Sequence, residues 1–333
     1  MDMRVAVVGA GSWGTTVAHL CANNAPTVLH SRREDVAEAI NDRHENPRYL
    51  AGFPLHPDLR ASTDLAHVVR DADVLVMGVP SSAFRDTLIA VRPHLRPWVP
   101  VVSLAKGFEL GSHKRMTQLV EEELPDHPVG VLTGPNLAKE ILAGSAAAAV
   151  MAFTDLTIAE SLQPVFSSQL FRVYSSTDVI GCELGGALKN VIALAAGMAD
   201  GLETGDNTRA AVITRGLAEL TRLGVAMGGE PATFSGLAGM GDLLATCMSP
   251  QSRNRHVGER LGRGESIEQI IEEMDQVAEG VKSAPIVVEL ATELGVYMPI
   301  AEQVRACVQE GRSANSAYVG LVANPANREI DPD

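Results

Sequence analysis

Apolar runs and amphipathic stretches take turns through the first half of the chain. RVAVVG (4–9) reads as a strand ending in glycine, and TTVAHLCA soon after carries a helical pattern. TVLHSRR (27–33) predicts a second strand with bases at its end, and EDVAEAI (34–40) a second helix. Further strands are predicted in ADVLVMGVP (72–80), VPVVSLAKG (99–107), VGVLTGP (129–135), AAAAVMAF (146–153) and FRVYSS (171–176). AFRDTLIAVRPHL and RMTQLVEEEL are amphipathic segments between them. Such alternation implies an α/β domain, a mostly parallel sheet with helices on both faces. The segment NDRHENPRYLAGFPLHPDLR (41–60) breaks the alternation and reads as a long excursion.

After about residue 180 the strand signals fade. ELGGALKNVIALAAGMADGL, NTRAAVITRGLAELTRLGVAMG, IEQIIEEM, APIVVELATELG and IAEQVRACVQEG all read as helices. The pattern predicts an α/β domain over residues 1–180 and an all-α domain over 181–333. The active site is expected at the C-terminal edges of the sheet strands, where the helical domain meets them.

Composition narrows the function classes. Hydrophobic residues make up 46% of 333 and charged residues 20%, enough apolar material for a sizeable core. The net charge of −14 argues against a broad footprint for nucleic acid or an anionic membrane. An anionic substrate would have to be held by a few local bases. Cys21, Cys182, Cys247 and Cys307 are scattered, with no CxxC pair and no HExxH, so neither a zinc site nor a disulfide framework is indicated. Reduced thiols in a cytoplasmic protein are expected. MDMRVAVVGAG enters a strand almost at once, so no signal peptide is expected. The uncharged run 141–153 is too short for a membrane span of about 20 residues. The polar tail NPANREIDPD is expected to be loose.

Gly9-Ala10-Gly11-Ser12-Trp13-Gly14 is G-x-G-x-x-G with a strand before it and a helix after it. The first glycine allows a tight turn, the second lets backbone approach a pyrophosphate, and the third lets helix pack on strand. The helix N-terminus adds N–H groups and a positive dipole end. The α/β domain is therefore expected to be Rossmann-like and to bind a dinucleotide. The next strand ends in His30-Ser31-Arg32-Arg33 where an NAD-selective fold offers an acid. Arginine there suits a 2′-phosphate. NADP(H) is thus favoured, with NAD(H) still allowed. The alternative is a solvated basic pair at the start of a helix.

CELGGALKNVIALAAG (182–197) places Lys189 in a helix that is otherwise Gly, Ala and aliphatic after Glu183. A helix apolar all round is buried, and a buried ammonium is costly unless it is paired or used. Either its stem snorkels along apolar surface or it does chemistry. Two other stretches favour chemistry. SLAKGFE (103–109) puts Lys106 at the end of a buried strand, and GLAGMGDLLATCMSPQSRNRHVG (236–258) carries Asp242 early and Arg253 and Arg255 late. The latter stretch also reads as a glycine-rich link with a solvated basic end.

With these blocks the sequence resembles the bacterial type of NAD(P)-dependent sn-glycerol-3-phosphate dehydrogenase, over nearly its whole length. GAGSWGTTVA, VPSSAF, LAKGFE, LTGPNLAKE, ELGGALKNVIALAAG, GLAGMGDLLATC, SRNRHVG and VAEGVKSA carry the resemblance. It implies interconversion of dihydroxyacetone phosphate and sn-glycerol 3-phosphate, mainly for phospholipid synthesis, by a cytoplasmic homodimer using NADP(H), NAD(H) or both. It implies that Lys189 exchanges a proton with the substrate C2 oxygen. Lys106 would touch substrate and cofactor, while Asn190 and Asp242 orient the reacting groups. Gly134, Asn136, Thr246, Ser252, Arg253 and Asn254 would hold the substrate, the last two near its phosphate. Gly9, Gly11, Ser12, Trp13, Gly14, Arg32, Arg33, Pro80, Lys106, Ala138, Arg253, Val277 and Glu279 would line the cofactor, and no metal is implied. Asn136 departs from the Ser or Thr that many relatives carry after Gly-Pro. The competing enzymatic reading is a β-hydroxyacid dehydrogenase of the 6-phosphogluconate type, which would not need LAKGFE and SRNRHVG together.

Overall fold

The computed structural model describes residues 3–274 and 278–323. Val277 and the tail 324–333 therefore lie outside the described residues. The chain divides into two compact units, Met1–Cys182 and Glu183–Asp333.

The first unit is built on one eight-stranded sheet. Its strands are β1 (Val5–Val8), β2 (Thr27–His30), β3 (Arg60–Ser62), β4 (Val74–Met77), β5 (Val101–Ser103), β6 (Val129–Thr133), β7 (Ala147–Phe153) and β8 (Phe171–Ser176), in the order β3-β2-β1-β4-β5-β6-β7-β8. All neighbours pair in parallel except β6 with β7. The β6–β7 link holds only the five-residue helix Ala138–Leu142, which rises about 8 Å. That is too short to carry the chain back along a strand, so it turns and runs antiparallel. The order reverses at β1, between β2 and β4, and such a switch point is where doubly wound sheets bind ligands.

Both faces of the sheet are covered, so side chains of period two feed two cores. Val5, Val7, Val74, Val76 and Val102 enter one cluster with Val17, Leu20 and Phe171. Ala6, Val8, Leu75, Met77 and Val101 enter the other with Phe84, Leu88 and Leu119. The strand β3 went unread in the sequence. It is three residues long, has one buried position, and exists through its pairing with β2.

The second unit is helical among the described residues. Its long helices are Val179–Gly201, which begins at the boundary, then Asp206–Ala226, Arg253–Gly262, Glu279–Glu293, Pro299–Gln309 and Ala314–Ala323. Val179–Gly201 is long and apolar enough to cross a membrane, but 94% of that stretch is buried inside the protein. Glycines explain how. A methyl on Gly197 would overlap the Arg255 carbonyl, and one on Gly258 the Leu194 carbonyl. Gly201 and Gly262 repeat the arrangement one turn on. The Val179–Gly201 and Arg253–Gly262 helices thus pack backbone to backbone. The stretch that also read as a glycine-rich link is instead a π-helical turn, Leu237–Gly241, running into helix Asp242–Met248 and then Arg253–Gly262.

Glu219 ties this unit together from within. It is 2% exposed, and its carboxyl accepts the Ile300 and Ala301 N–H groups at 2.8 and 3.2 Å. Those are first-turn donors of Pro299–Gln309, whose own N-cap, Met298, offers no side-chain cap. Burial raises the carboxyl from 4.5 to about 7, against the pull of the two amides and Arg222 and with a push from Glu302. The folded state therefore binds this proton more tightly than the unfolded chain. Its stabilising contribution is complete below about pH 4.5 and is lost as pH rises to about 7, a change of about 3 kcal/mol. Glu219→Gln mimics the protonated form, so its stability relative to wild type should climb by that amount across the same window. Denaturant melts of both proteins at pH 5 and 8 check this, and a constant gap would refute it.

Candidate active site

Five strand ends of the first unit carry the residues singled out there. The glycine loop follows β1, Arg32 follows β2, Pro80 follows β4, Lys106 follows β5, and Gly134, Asn136 and Ala138 follow β6. These strands are parallel, so all five ends lie on one edge of the sheet.

In the loop, Gly9 has φ 117°, a region that favours glycine, and a Cβ there would sit 2.6 Å from the Gly78 carbonyl oxygen. A Cβ on Gly14 would overlap the Gly9 carbonyl, whereas a Cβ on Gly11 would enter open space. The helix that follows, Ser12–Ala22, has no side-chain cap and no acid in its first turn. Among the described residues, the N–H groups of residues 10–14 have no protein acceptor. The Trp13 indole N–H is buried without a partner as well. A run of free amides at a positive helix end, where backbone can be approached closely at Gly11, fits the pyrophosphate of a dinucleotide.

The two arginines after β2 differ. Arg33 forks onto Asp35 at 2.9 and 2.7 Å, both side chains exposed. Arg32 is exposed and makes no ion pair among the described residues. Arg32 is therefore the one open to a 2′-phosphate. Pro80 is exposed and caps the short 3₁₀ turn Ser81–Ala83, and Ala138 opens the helix Ala138–Leu142.

Lys106 meets the β6 end directly. Its ammonium donates to the Asn136 Oδ1 at 2.6 Å and to the Gly134 carbonyl at 3.1 Å. Asn136 keeps its Nδ2 buried and unpartnered, as Thr133 does its hydroxyl. An orphaned buried donor is costly unless something outside the protein accepts from it. The loop bearing Lys106 is clamped from behind: Arg85 grips Glu109 at 2.6 and 2.9 Å and also reaches Glu122 and Glu123. Sequence reasoning missed Arg85 and Thr133, since an exposed-looking arginine and a strand threonine carry no local signal.

The second unit gathers a buried set around Lys189. The side chain is 5% exposed, and its ammonium donates to Asp242 Oδ1 at 2.5 Å and Thr246 Oγ1 at 2.6 Å. The Thr246 hydroxyl donates in turn to the Asp242 carbonyl at 2.7 Å, so its lone pair is what receives the lysine. An ammonium has three donors. The third has no protein partner among the described residues. The π-helical turn just before Asp242 sets the register that aims this carboxylate, a device common at functional sites. Cys247 lies in the same neighbourhood, but burial pushes its thiol up to about 12, so it is no nucleophile.

Asn190 and Asn254 form a second layer. Asn254 donates to Asn190 Oδ1 at 2.9 Å and accepts the Gly280 N–H at 2.9 Å. One side chain thereby bridges the helices Val179–Gly201, Arg253–Gly262 and Glu279–Glu293. The Ser252 hydroxyl is spent on capping Arg253–Gly262, accepting the Arg255 N–H at 3.2 Å. Arg255 itself is tied to Asp200 at 2.7 Å. Arg253 stands at the first helical position of the same helix and is exposed at its surface. Surrounding protein lowers its pKa, and Glu279 pushes the other way. Glu279 opens its helix, while Val277 lies outside the described residues. No group of His, Cys, Asp and Glu among the described residues could hold a metal.

A doubly wound sheet with a free-amide loop at its switch point, in a chain whose second unit is helical and buries a hydrogen-bonded lysine, belongs with the dinucleotide-dependent oxidoreductases. The chain is a member of the NAD-dependent glycerol-3-phosphate dehydrogenase family: residues 4–159 match the family's N-terminal part and residues 178–319 its C-terminal part. It is 58% identical to a glycerol-3-phosphate dehydrogenase (NAD(P)+) of Sphingopyxis alaskensis, with 100% of both chains covered. It is 53% identical to one from Mycobacterium avium, covering 99% of this chain and 97% of the relative. The crystal structure of a glycerol-3-phosphate dehydrogenase from Coxiella burnetii superposes with a TM-score of 0.92 at 34% identity, over 97% of this chain and 99% of that one.

Proposed function

We propose that the protein catalyses reversible hydride transfer between NAD(P)H and dihydroxyacetone phosphate, giving sn-glycerol 3-phosphate. The observation that carries the reading is the buried Lys189 ammonium, fixed by Asp242 and Thr246 with one donor left over.

Bound NAD(P)H supplies the hydride that reaches C2. The chain's own residues manage the charge this creates. As the carbonyl oxygen gains negative charge, the free N–H of Lys189 stabilises it and then transfers its proton to that oxygen. Asp242 and Thr246 hold the amine in one orientation, so little reorganisation is needed during the reaction. In the oxidation direction the neutral amine takes the proton from the C2 hydroxyl. Lys106, steadied by Asn136 and the Gly134 carbonyl, contacts substrate and cofactor. Arg253 and the N-terminus of its helix hold the phosphate. The free amides of the glycine loop hold the pyrophosphate.

The product supplies glycerophospholipid synthesis in the cytoplasm, and the enzyme works as a homodimer. The resemblance supports both statements, and buried free thiols agree with a reducing compartment. Oxidation of NADPH and of NADH by the purified protein with dihydroxyacetone phosphate tests the reading. Turnover of 6-phosphogluconate or another β-hydroxyacid in its place would overturn it.

Cofactor choice turns on Arg32. Losing a charge-assisted contact costs about 1.5–3 kcal/mol, or roughly 10–100-fold in kcat/KM. Arg32→Asp should therefore cut NADPH use by that factor while NADH use changes far less. Equal losses with both cofactors would take the 2′-phosphate away from Arg32.

A further inference from the structure

The activity described so far gives the 41–60 excursion no part, although it interrupts the alternation of the first unit. One buried residue ties it to the glycine loop. Asn46 is fully buried at 0% exposure. Its Nδ2 donates to the Ala10 carbonyl at 3.0 Å and to Thr15 Oγ1 at 2.9 Å. Its Oδ1 accepts the Tyr49 N–H at 3.3 Å, and its own carbonyl accepts the Leu50 N–H at 2.9 Å. The orientation of the amide follows from its partners, because a carbonyl can only accept and an N–H can only donate. Nearby, the Ser12 hydroxyl reaches the Tyr49 carbonyl at 3.5 Å. The excursion therefore closes over the glycine loop, and Asn46 fastens it there.

The Ala10 contact bears on the loop's donors. Ala10 C=O and Gly11 N–H belong to one planar trans peptide and point in opposite directions. Pinning the carbonyl on Asn46 fixes the plane and aims the Gly11 N–H the other way. That amide is one of the five without a protein acceptor. Without Asn46 the Ala10 carbonyl has no other partner among the described residues, and the peptide can rotate.

We propose that Asn46 is a positioning residue for the pyrophosphate loop, acting through the Ala10–Gly11 peptide on the common part of both dinucleotides. The proposal rests on the dinucleotide reading given above. Asn46→Leu keeps the approximate size and removes the amide. Titration calorimetry should show Kd for NADPH and for NADH rising together, by about 10-fold. KM for dihydroxyacetone phosphate should stay near wild type. Thr15→Val serves as the packing control: it removes the other acceptor, should lower the melting temperature, and should leave both Kd values near wild type. If Asn46→Leu does not fold, Asn46→Ser, too short to reach Ala10, gives the same readout. Unchanged Kd values in a folded variant overturn the proposal, as does a loss confined to NADPH, which would move Asn46 to the 2′-phosphate side. A wild-type protein binding neither cofactor would instead remove the dinucleotide reading beneath it.

Discussion

Lys189→Met should lower turnover of dihydroxyacetone phosphate by at least about 100-fold, the usual scale for losing an acid–base group, while NADPH still binds. Methionine keeps the length and the apolar packing of the stem but deletes the proton. The structure adds a consequence for stability. Lys189 and Asp242 are 6% and 2% exposed at their side chains, so the variant takes the cation away from a buried carboxylate. Breaking such a buried pair from one side costs about 3–5 kcal/mol. The informative partner is therefore the double variant Lys189→Met/Asp242→Asn, which removes the buried negative charge as well. Its melting temperature should recover toward wild type while kcat stays low. Recovery of both would show that the lysine only balanced Asp242. Near-normal kcat in the single variant would mean that the side chain merely packs along the helix.

How much of this was legible depended on how local each feature is. The glycine loop could be read because its strand, turn and helix are contiguous. Lys189 could be read because one base in an apolar helix is conspicuous within a few turns. The strand β3 could not, since Arg60, Ala61 and Ser62 have no alternating pattern and form a strand only by lying beside β2. The short helix carrying Asp242 was obscured by the glycines just before it. A methyl on Gly239 would overlap Phe234, so the glycine is there for close packing and not for a flexible link. The asparagine bridges are wholly non-local. Asn254 meets Asn190 across 64 positions and Asn46 meets Ala10 across 36, and no periodicity joins residues so far apart. Charge alone was uninformative in one respect: Arg253 and Arg255 look alike in sequence, and nothing local shows that the second is bound to Asp200.

In the proposed function, Arg253 is the residue on which substrate recognition should depend most. The chain carries a net charge of −14, so its average field repels a phosphorylated substrate. A local basic site has to overcome this. Arg253 supplies a guanidinium that can fork onto two phosphate oxygens. It also begins a ten-residue helix, whose first-turn amides and dipole favour an anion at the same end. The phosphate does not react. In the proposed function its binding energy serves to hold C2 in place for reaction, and part of that energy is realised only in the transition state. Arg253→Ala should therefore raise KM for dihydroxyacetone phosphate and lower kcat as well, with a combined loss of roughly 10–100-fold or more in kcat/KM. Arg253→Lys should recover little of this, because an ammonium cannot reproduce the fork. NADPH affinity, measured by titration, should change much less. The decisive comparison uses unphosphorylated dihydroxyacetone. Wild type should turn it over very poorly, and Arg253→Ala should barely alter that rate, since the contact it removes is never made. Equal losses on both substrates would make Arg253 a structural or cofactor residue and send the search for the phosphate site elsewhere.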